Sequence, residues 1–327
     1  MTLSVLFLGG TGVISNEAVR LSVHRGHDVT VLNRGSTSLR GTPAGAKSLV
    51  ADVRDGAALR AALGDLRFDV VVDFLAFTPR HIEQDIELFA GRTGQFVFIS
   101  SASAYQKPPQ RLPVTESTPL RNPHWQYSRD KIACEDLLVA AYRGSGFPAT
   151  IVRPSHTYDR TSVPLAGGWT DIARLRRGAP VVLHDHGASL WALTHARDFA
   201  VGIVGLFGNR QAVGDAIHIT SDEILSWTTI MHLLADAAGV EPNIVHVTSD
   251  AIAAADPELG AGFLGDRSHS MVFDNSKIRS LVPEFAPATR FADGAREIID
   301  WFDANPRQQV VDARLDALFD RLAASAS

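Results

Sequence analysis

Apolar residues open the chain as an unbroken run, Val5-Leu6-Phe7-Leu8, which stops at Gly9-Gly10. Apolar side chains at every position suit a strand buried on both faces, as in a parallel sheet. From Val13 the period changes, and Val13, Ile14, Ala18 and Leu21 recur at helical spacing. The exchange of the two patterns continues through the first half. Strands are predicted over 28–32, 46–50, 69–74, 95–100 and 148–152, and helices over 54–66, 79–90 and 125–143. Pro79 fits a first helical turn, where its missing N–H costs nothing. Such alternation argues for an α/β fold, a doubly wound parallel sheet covered by helices on both faces. Beyond Pro154 the alternation breaks down. Helices are predicted over 170–177, 194–207, 225–238, 275–281, 290–303 and 310–323, with strands over 181–184 and 216–220. The break predicts a second, smaller mixed α/β lobe. Residues 1–160 plus 190–222 are assigned to the first domain, and 161–189 plus 223–327 to the lobe.

Composition narrows the class. The chain has 327 residues, enough for a large core, and a formal charge of −5, without the basic excess of a nucleic-acid partner. Its single cysteine, Cys134, excludes an intrachain disulfide framework and suggests a reducing compartment. No apolar stretch approaches the roughly 20 residues that span a bilayer. The N-terminus lacks a basic segment before its short apolar run, unlike a signal peptide. A cytoplasmic location, with no membrane or nucleic-acid partner, is the expectation.

Candidate chemistry starts at Gly9-Gly10-Thr11-Gly12-Val13-Ile14, where the first strand turns into the first helix. Gly9 permits a sharp turn. Gly12 removes a Cβ that would hold a pyrophosphate away from the helix N-terminus. The usual third glycine is Ser15, which is also small. After the second strand comes Asn33-Arg34-Gly35, where an NAD site usually carries an acid for the ribose hydroxyls. Arg34 suits the 2′-phosphate of NADP instead, because guanidinium matches phosphate geometry; a solvated surface arginine is the alternative. Tyr127 and Lys131 are four residues apart and share one helix face. An ammonium beside a phenol favours phenolate, so Tyr127 is expected to titrate nearer neutrality and to exchange a proton with a substrate oxygen.

Together these pieces resemble the short-chain dehydrogenase/reductase superfamily in its extended form, the NAD-dependent epimerase/dehydratase group, built on a Rossmann fold. Ala51-Asp52-Val53 is similar to the segment in which Asp52 faces the adenine amino group and Val53 lies on the ring. Phe74-Leu75-Ala76-Phe77 resembles the stretch lining the nicotinamide ribose, and Ile151-Val152-Arg153-Pro154 the strand end that closes over the nicotinamide. Phe98-Ile99-Ser100-Ser101-Ala102-Ser103-Ala104-Tyr105 matches the active-site strand. The resemblance implies Ser101, Tyr127 and Lys131 as catalytic residues. Ser101 bonds the reacting oxygen, Tyr127 is the acid/base, and Lys131 holds the nicotinamide ribose and lowers the Tyr127 pKa. The dinucleotide is expected against Gly9, Thr11, Gly12, Val13, Ile14, Asn33, Arg34, Asp52, Val53, Leu75, Ala76 and Pro154; Arg34, a departure from the family's acid, favours NADP, with NAD possible. Ser103 and His156 are candidate substrate contacts. In relatives, the helices matching 79–90 and 125–143 pair with their copies, which implies a homodimer.

Departures shape the function expected. Asp159-Arg160 stands where the family shows Gly-Pro, and Ala102-Ser103 where sugar-nucleotide 4,6-dehydratases carry Asp-Glu. Without those carboxyls that dehydration lacks its acid and base. Ser15 and the Asn33-Arg34-Gly35 turn resemble the atypical fringe of the superfamily, which includes the chloroplast stem-loop RNA-binding proteins. The expectation is an NADP-preferring reductase of a carbonyl on a sugar nucleotide or other small metabolite. The alternatives are a nucleotide-sugar epimerase with tightly bound NAD, and a non-catalytic NAD(P)-binding protein. Arg174, Arg176 and Arg177 could clamp a diphosphate or form a solvated helix face. Trp169 and Trp191 could line a substrate pocket or simply pack. His184, His186 and His195 lack the spacing of a metal site.

Overall fold

The computed structural model describes residues 2–35 and 39–326. The first half runs β1 (Ser4–Leu8), α1 (Val13–His24), β2 (Asp28–Asn33), β3 (Lys47–Val50), α2 (Gly56–Leu63), β4 (Phe68–Asp73), α3 (Pro79–Phe89), β5 (Thr93–Ile99), α4 (Gln126–Ser145) and β6 (Ala149–Pro154). The second half continues with β7 (His156–Tyr158), α5 (Trp169–Arg176), β8 (Val181–His184), β9 (Leu190–Trp191), β10 (Leu193–His195), α6 (Ala196–Gly205), β11 (Ala216–Ile219), β12 (Leu225–Ser226), α7 (Trp227–Ala238) and β13 (Ile244–Val247). Five helices close the chain: α8 (Ser249–Ala255), α9 (Pro257–Gly262), α10 (Ser276–Leu281), α11 (Phe291–Ala304) and α12 (Ala313–Ala326). A π-helical turn, Phe263–Arg267, follows α9 directly.

Seven parallel strands form the main sheet in the order β11-β6-β5-β4-β1-β2-β3. The chain leaves β1 towards β2 and β3, then returns to lay β4 on the other side of β1. That reversal opens a crevice beyond the carboxyl ends of β1 and β4, where ligands of open α/β sheets bind. Both faces are covered. Val5, Phe7, Val31 and Val72 point to a core shared with α1 and α6, and Leu6, Leu8, Val71 and Phe96 to one beneath α3 and α4. This two-sided burial is the physical reason the strands read as unbroken apolar runs.

A separate core lies in the second lobe, where Trp191, Trp227, Ile230 and Ile298 bring together α7, α11 and the short strands. Between Trp191 and Trp227 the chain returns to the first core, where α6 packs and β11 joins the main sheet. Ile278, Val282 and Phe285 also pack in the first core, although their stretch was expected in the lobe.

Several boundaries differ from expectation for local reasons. The helix expected over 54–66 is shorter because the Asp55 carboxylate accepts the N–H groups of Ala57 and Ala58, which starts it later. The helix expected over 194–207 begins at Ala196, since His195 ends a strand paired with β7 and caps the helix by accepting the Arg197 N–H at 3.1 Å. Val310 and Val311 precede the last helix and are exposed, whereas Leu318, Phe319 and Leu322 are buried against Val247 and Phe263. The elements β13, α8, α9 and the π-helical turn were not foreseen; their apolar positions are too few and too short for a clear period.

Candidate cofactor and catalytic site

A cleft of about 560 Å³ runs over the carboxyl ends of the central strands. Gly9, Thr11, Gly12, Val13 and Ile14 line one end. Gly9 has φ +81°, and a Cβ there would lie 2.8 Å from Leu75, so glycine is needed for both backbone and space. Gly12 is exposed, and among the described residues a Cβ there would meet only Ser15 Oγ, at 3.2 Å. Ser15 is buried, and its hydroxyl accepts the Gly12 N–H at 2.9 Å. It braces the turn, a role that spacing alone did not show. The first turn of α1 carries no acidic residue, and its leading N–H groups face the crevice side of the sheet as a ready anion site. This cradle fits the pyrophosphate of a dinucleotide.

Asn33 and Arg34 line the same cleft beyond β2, with Asp52 and Val53 beside them. Asn33 Oδ1 accepts the Gly35 N–H at 3.0 Å, so its amide shapes the turn. Arg34 is exposed. Arg54 joins this wall, 2.9 Å from His81 Nε2 and 5.9 Å from the Phe77 ring centre. Arg54 and Phe77 belong to the two stretches likened to the adenine and ribose segments, Ala51-Asp52-Val53-Arg54-Asp55 and Phe74-Leu75-Ala76-Phe77, but neither was named there as a site residue.

Leu75, Pro154, Ser101, Tyr127 and Lys131 converge at the other end. Ser101 lies just beyond β5; its hydroxyl acts on the Tyr127 phenol and stands 2.9 Å from Ser103 Oγ. Lys131 Nζ donates to the carbonyl oxygens of Ala76 at 2.6 Å and Ile99 at 2.7 Å. It also lies 4.7 Å from the ring centres of Phe77 and Phe98. Burial lowers the Lys131 pKa to about 8, with Asp73 opposing. Tyr127 departs from expectation. Burial pushes its phenol up to about 12, the Ser101 hydrogen bond pulls it down, and the negative charge of Asp266 adds to the rise. Two neighbours on one helix face do not suffice for a lowered phenol, because the ammonium turns to two carbonyls instead.

Other expected residues sit elsewhere. Ala76 is buried and is not part of the cleft wall; its carbonyl receives Lys131. Ser103 is also buried, with its Oγ 2.9 Å from Ser101 Oγ and accepting from Ser128 Oγ at 2.8 Å. Its hydroxyl therefore supports Ser101 and is not free for substrate. His156 projects into the second lobe, where its Nε2 is 2.9 Å from Asp266 Oδ2. Ser100, one residue before Ser101, donates to Glu135 at 2.5 Å, and Glu135 is paired with Arg153 inside the protein. The three lobe arginines are all committed to carboxylates. Arg174, fully buried, holds Asp316 and Asp320 at 2.5 and 2.7 Å; Arg176 holds Asp303, and Arg177 holds Asp316. They tie α5 to the last two helices and do not form a clamp. Trp169 stacks on Phe302, and Trp191 packs against His156. Asp159, in place of the family glycine, is ion-paired with Arg40 at 2.8 Å. His184 Nε2 donates to the Arg267 carbonyl, and His186 lies near His246.

Comparison with known proteins agrees with this geometry. The 2'-dehydrokanamycin reductase of Streptomyces kanamyceticus is 29% identical over 289 residues, which cover 87% of this chain and 80% of that protein. The chloroplast stem-loop binding protein of 41 kDa b of Arabidopsis thaliana is 26% identical, over 74% of this chain and 65% of its own length. Among solved structures, an epimerase of Methanothermobacter thermautotrophicus superposes with a TM-score of 0.77 over 94% of both chains at 17% identity, a likeness of fold. Residues 5–220, from β1 through β11, match the NAD dependent epimerase/dehydratase family, so the chain is an enzyme belonging to that family.

Proposed function

We propose that this chain is an NADP-preferring reductase acting on a carbonyl group of a sugar-related small molecule. One observation carries the reading: Ser101, Tyr127 and Lys131 meet at one end of a cleft whose other end is an anion-receiving glycine turn beside Arg34. The nicotinamide, when bound, supplies a hydride to the carbonyl carbon. Ser101 Oγ donates to the carbonyl oxygen and polarises it. Tyr127, neutral at ordinary pH, gives its proton to that oxygen as the carbon–hydrogen bond forms, and the alcohol leaves. Lys131, charged below about pH 8, supports the corner electrostatically and stands where the ribose of the dinucleotide would lie. Arg34 would receive the 2′-phosphate.

The related 2'-dehydrokanamycin reductase supports reduction of a keto-sugar. A nucleotide-sugar epimerase draws less support, because the three arginines available for a diphosphate are held by aspartates. Hydride transfer from 4-deuterated NADPH to a panel of ring ketones and keto-sugars tests the reading by the mass of the product. Deuterium in the product is expected; tightly held NAD in the purified protein, with exchange of substrate epimers and no net reduction, would replace it with the epimerase. We further propose a homodimer through α3 and α4, where Ile132 and Leu137 remain half-buried; a monomer in light scattering would remove that proposal.

A further inference from the structure

The two hydroxyl groups at the reaction corner belong to different elements. Ser101 opens the short 3₁₀ turn Ala102–Ala104, and its Oγ accepts the Ser103 N–H at 3.1 Å. Tyr127 stands in the first turn of α4. The Ser101 hydroxyl acts on the Tyr127 phenol, so the spacing of the two elements matters to both groups. One side chain outside the cleft wall spans that spacing. Asn122, 3% exposed, lies in the loop that leads into α4.

Every hydrogen-bonding position of its amide is filled. Nδ2 donates to the Ser103 carbonyl at 2.9 Å and to the Gly265 carbonyl at 2.6 Å. Oδ1 accepts the N–H groups of His124 and Trp125, each at 3.2 Å. An amide has two donor hydrogens and two acceptor lone pairs, so nothing is left over. The orientation is forced, because the reverse would set the amide NH₂ against two N–H donors. The side chain therefore fastens three segments at once: the turn that follows Ser101, the start of the helix that carries Tyr127, and the π-helical turn of the second lobe.

The third segment sits close. A Cβ on Gly265 would lie 2.8 Å from Trp125 Cβ and 3.0 Å from Asn122 Oδ1. Trp125 in turn packs on Tyr127, with ring centres 4.8 Å apart. Asp266 follows Gly265, and its charge acts on the same phenol. Turns of this π-helical kind are frequent at functional sites.

We propose that Asn122 is a positioning residue: it sets Ser101 and Tyr127 in working register and docks the lobe against them, a role that rests on the reductase reading for what those two hydroxyls do. Buried and fully bonded, it acts only through the groups that it holds. A misplacement of about 1 Å in a reacting group can cost about 100-fold in rate.

Asn122→Asp and Asn122→Ser separate this role from a purely structural one. Aspartate and serine form the same local turn, because either can accept the His124 and Trp125 N–H groups. Aspartate loses both donors, and serine keeps one hydroxyl donor without adding charge. Thermal melts establish folding. The first readout is the Tyr127 Cζ resonance of the full chain, carbon-labelled in its four tyrosines and identified with Tyr127→Phe. The second is kcat against KM for cyclohexanone with NADPH. The resonance should move in both folded variants, and kcat should fall by about tenfold to 100-fold with KM little changed. Gly265→Ala, which crowds Trp125 and leaves the Asn122 amide intact, should move the resonance too, and it decides if neither Asn122 variant folds. A Tyr127 resonance that keeps its wild-type position in the folded variants overturns the proposal. So does a KM that rises while kcat holds. A wild type that reduces neither cyclohexanone nor the keto-sugars counts against the reductase reading and not against the positioning, which the resonance then decides alone.

Discussion

The ammonium of Lys131 lies 5.8 Å from the centre of the Tyr127 ring and spends its hydrogen bonds on the Ala76 and Ile99 carbonyls. The two side chains are neighbours on α4 without being a bonded pair. With Tyr127 at about 12 and Lys131 at about 8, the group that titrates in the working range is the lysine. Reductive turnover should therefore hold up to about pH 8 and fall above it as Lys131 loses its charge. Tyr127→Phe should lower turnover by about 10²–10⁴-fold, the usual worth of a positioned proton donor. Lys131→Met should abolish the alkaline fall in the residual rate. A pH profile flat from 6 to 10 in the wild type would refute the assignment of Lys131.

Arg34 governs the choice of dinucleotide in this reading. NADPH should bind at least about tenfold more tightly than NADH, a difference of about 1.4 kcal/mol, within reach of one charge-assisted pair. Arg34→Ala should erase most of it. Fluorescence titration reads both affinities, and equal values in the wild type would remove the NADP preference.

Ser103 acts through Ser101. Its hydroxyl is held by Ser128 and lies 2.9 Å from Ser101 Oγ, so in the proposed reaction it would orient the Ser101 donor. Ser103→Ala should cost roughly 1 kcal/mol of transition-state stabilisation, about fivefold in kcat, because one hydrogen bond is lost. KM should move less than kcat. A variant whose KM rises while kcat holds would instead make Ser103 a substrate contact.

Asp85 gives a prediction about stability. It is buried on α3, its Oδ2 has no hydrogen-bond partner among the described residues, and burial first, then the neighbouring Asp73, raise its pKa well above the ordinary value. The unfolded carboxyl ionises at about 4. Unfolding therefore releases a proton between that value and the raised folded one, so the stabilising contribution is complete below about pH 4 and declines as pH rises. Asp85→Asn does not ionise and escapes the decline. Its advantage over the wild type should grow by about 1.4 kcal/mol per pH unit across that window. Thermal melts at pH 5 and 8 check this; an equal difference at both would mean that Asp85 is ionised in the folded chain.

Much of the molecule is legible in the sequence because its signals are local. Val5-Leu6-Phe7-Leu8 is apolar at every position because β1 is buried on both faces, and the turn after it is marked by Gly9, whose positive φ favours glycine. One wall of the cleft could be read the same way, since the glycine turn, Asn33-Arg34 and Asp52-Val53 each sit at the end of one element. The rest depends on contacts across long separations. The raised phenol of Tyr127 depends on burial and on a charge from residue 266, and neither has a signature within four residues of the helix. Ser103 and Ala76 left the cleft wall because Ser128 and Lys131 took their polar atoms. Arg174 could be a clamp or a solvated residue until α12, more than a hundred positions away, brought Asp316 and Asp320 to it. Lys107, His156 and Asp266 meet only because a loop, β7 and the π-helical turn come together at one corner. A side chain's spacing determines which face of an element it occupies. Its partner, its solvent exposure and its charge state belong to the packed structure, where desolvation and distance set the electrostatics.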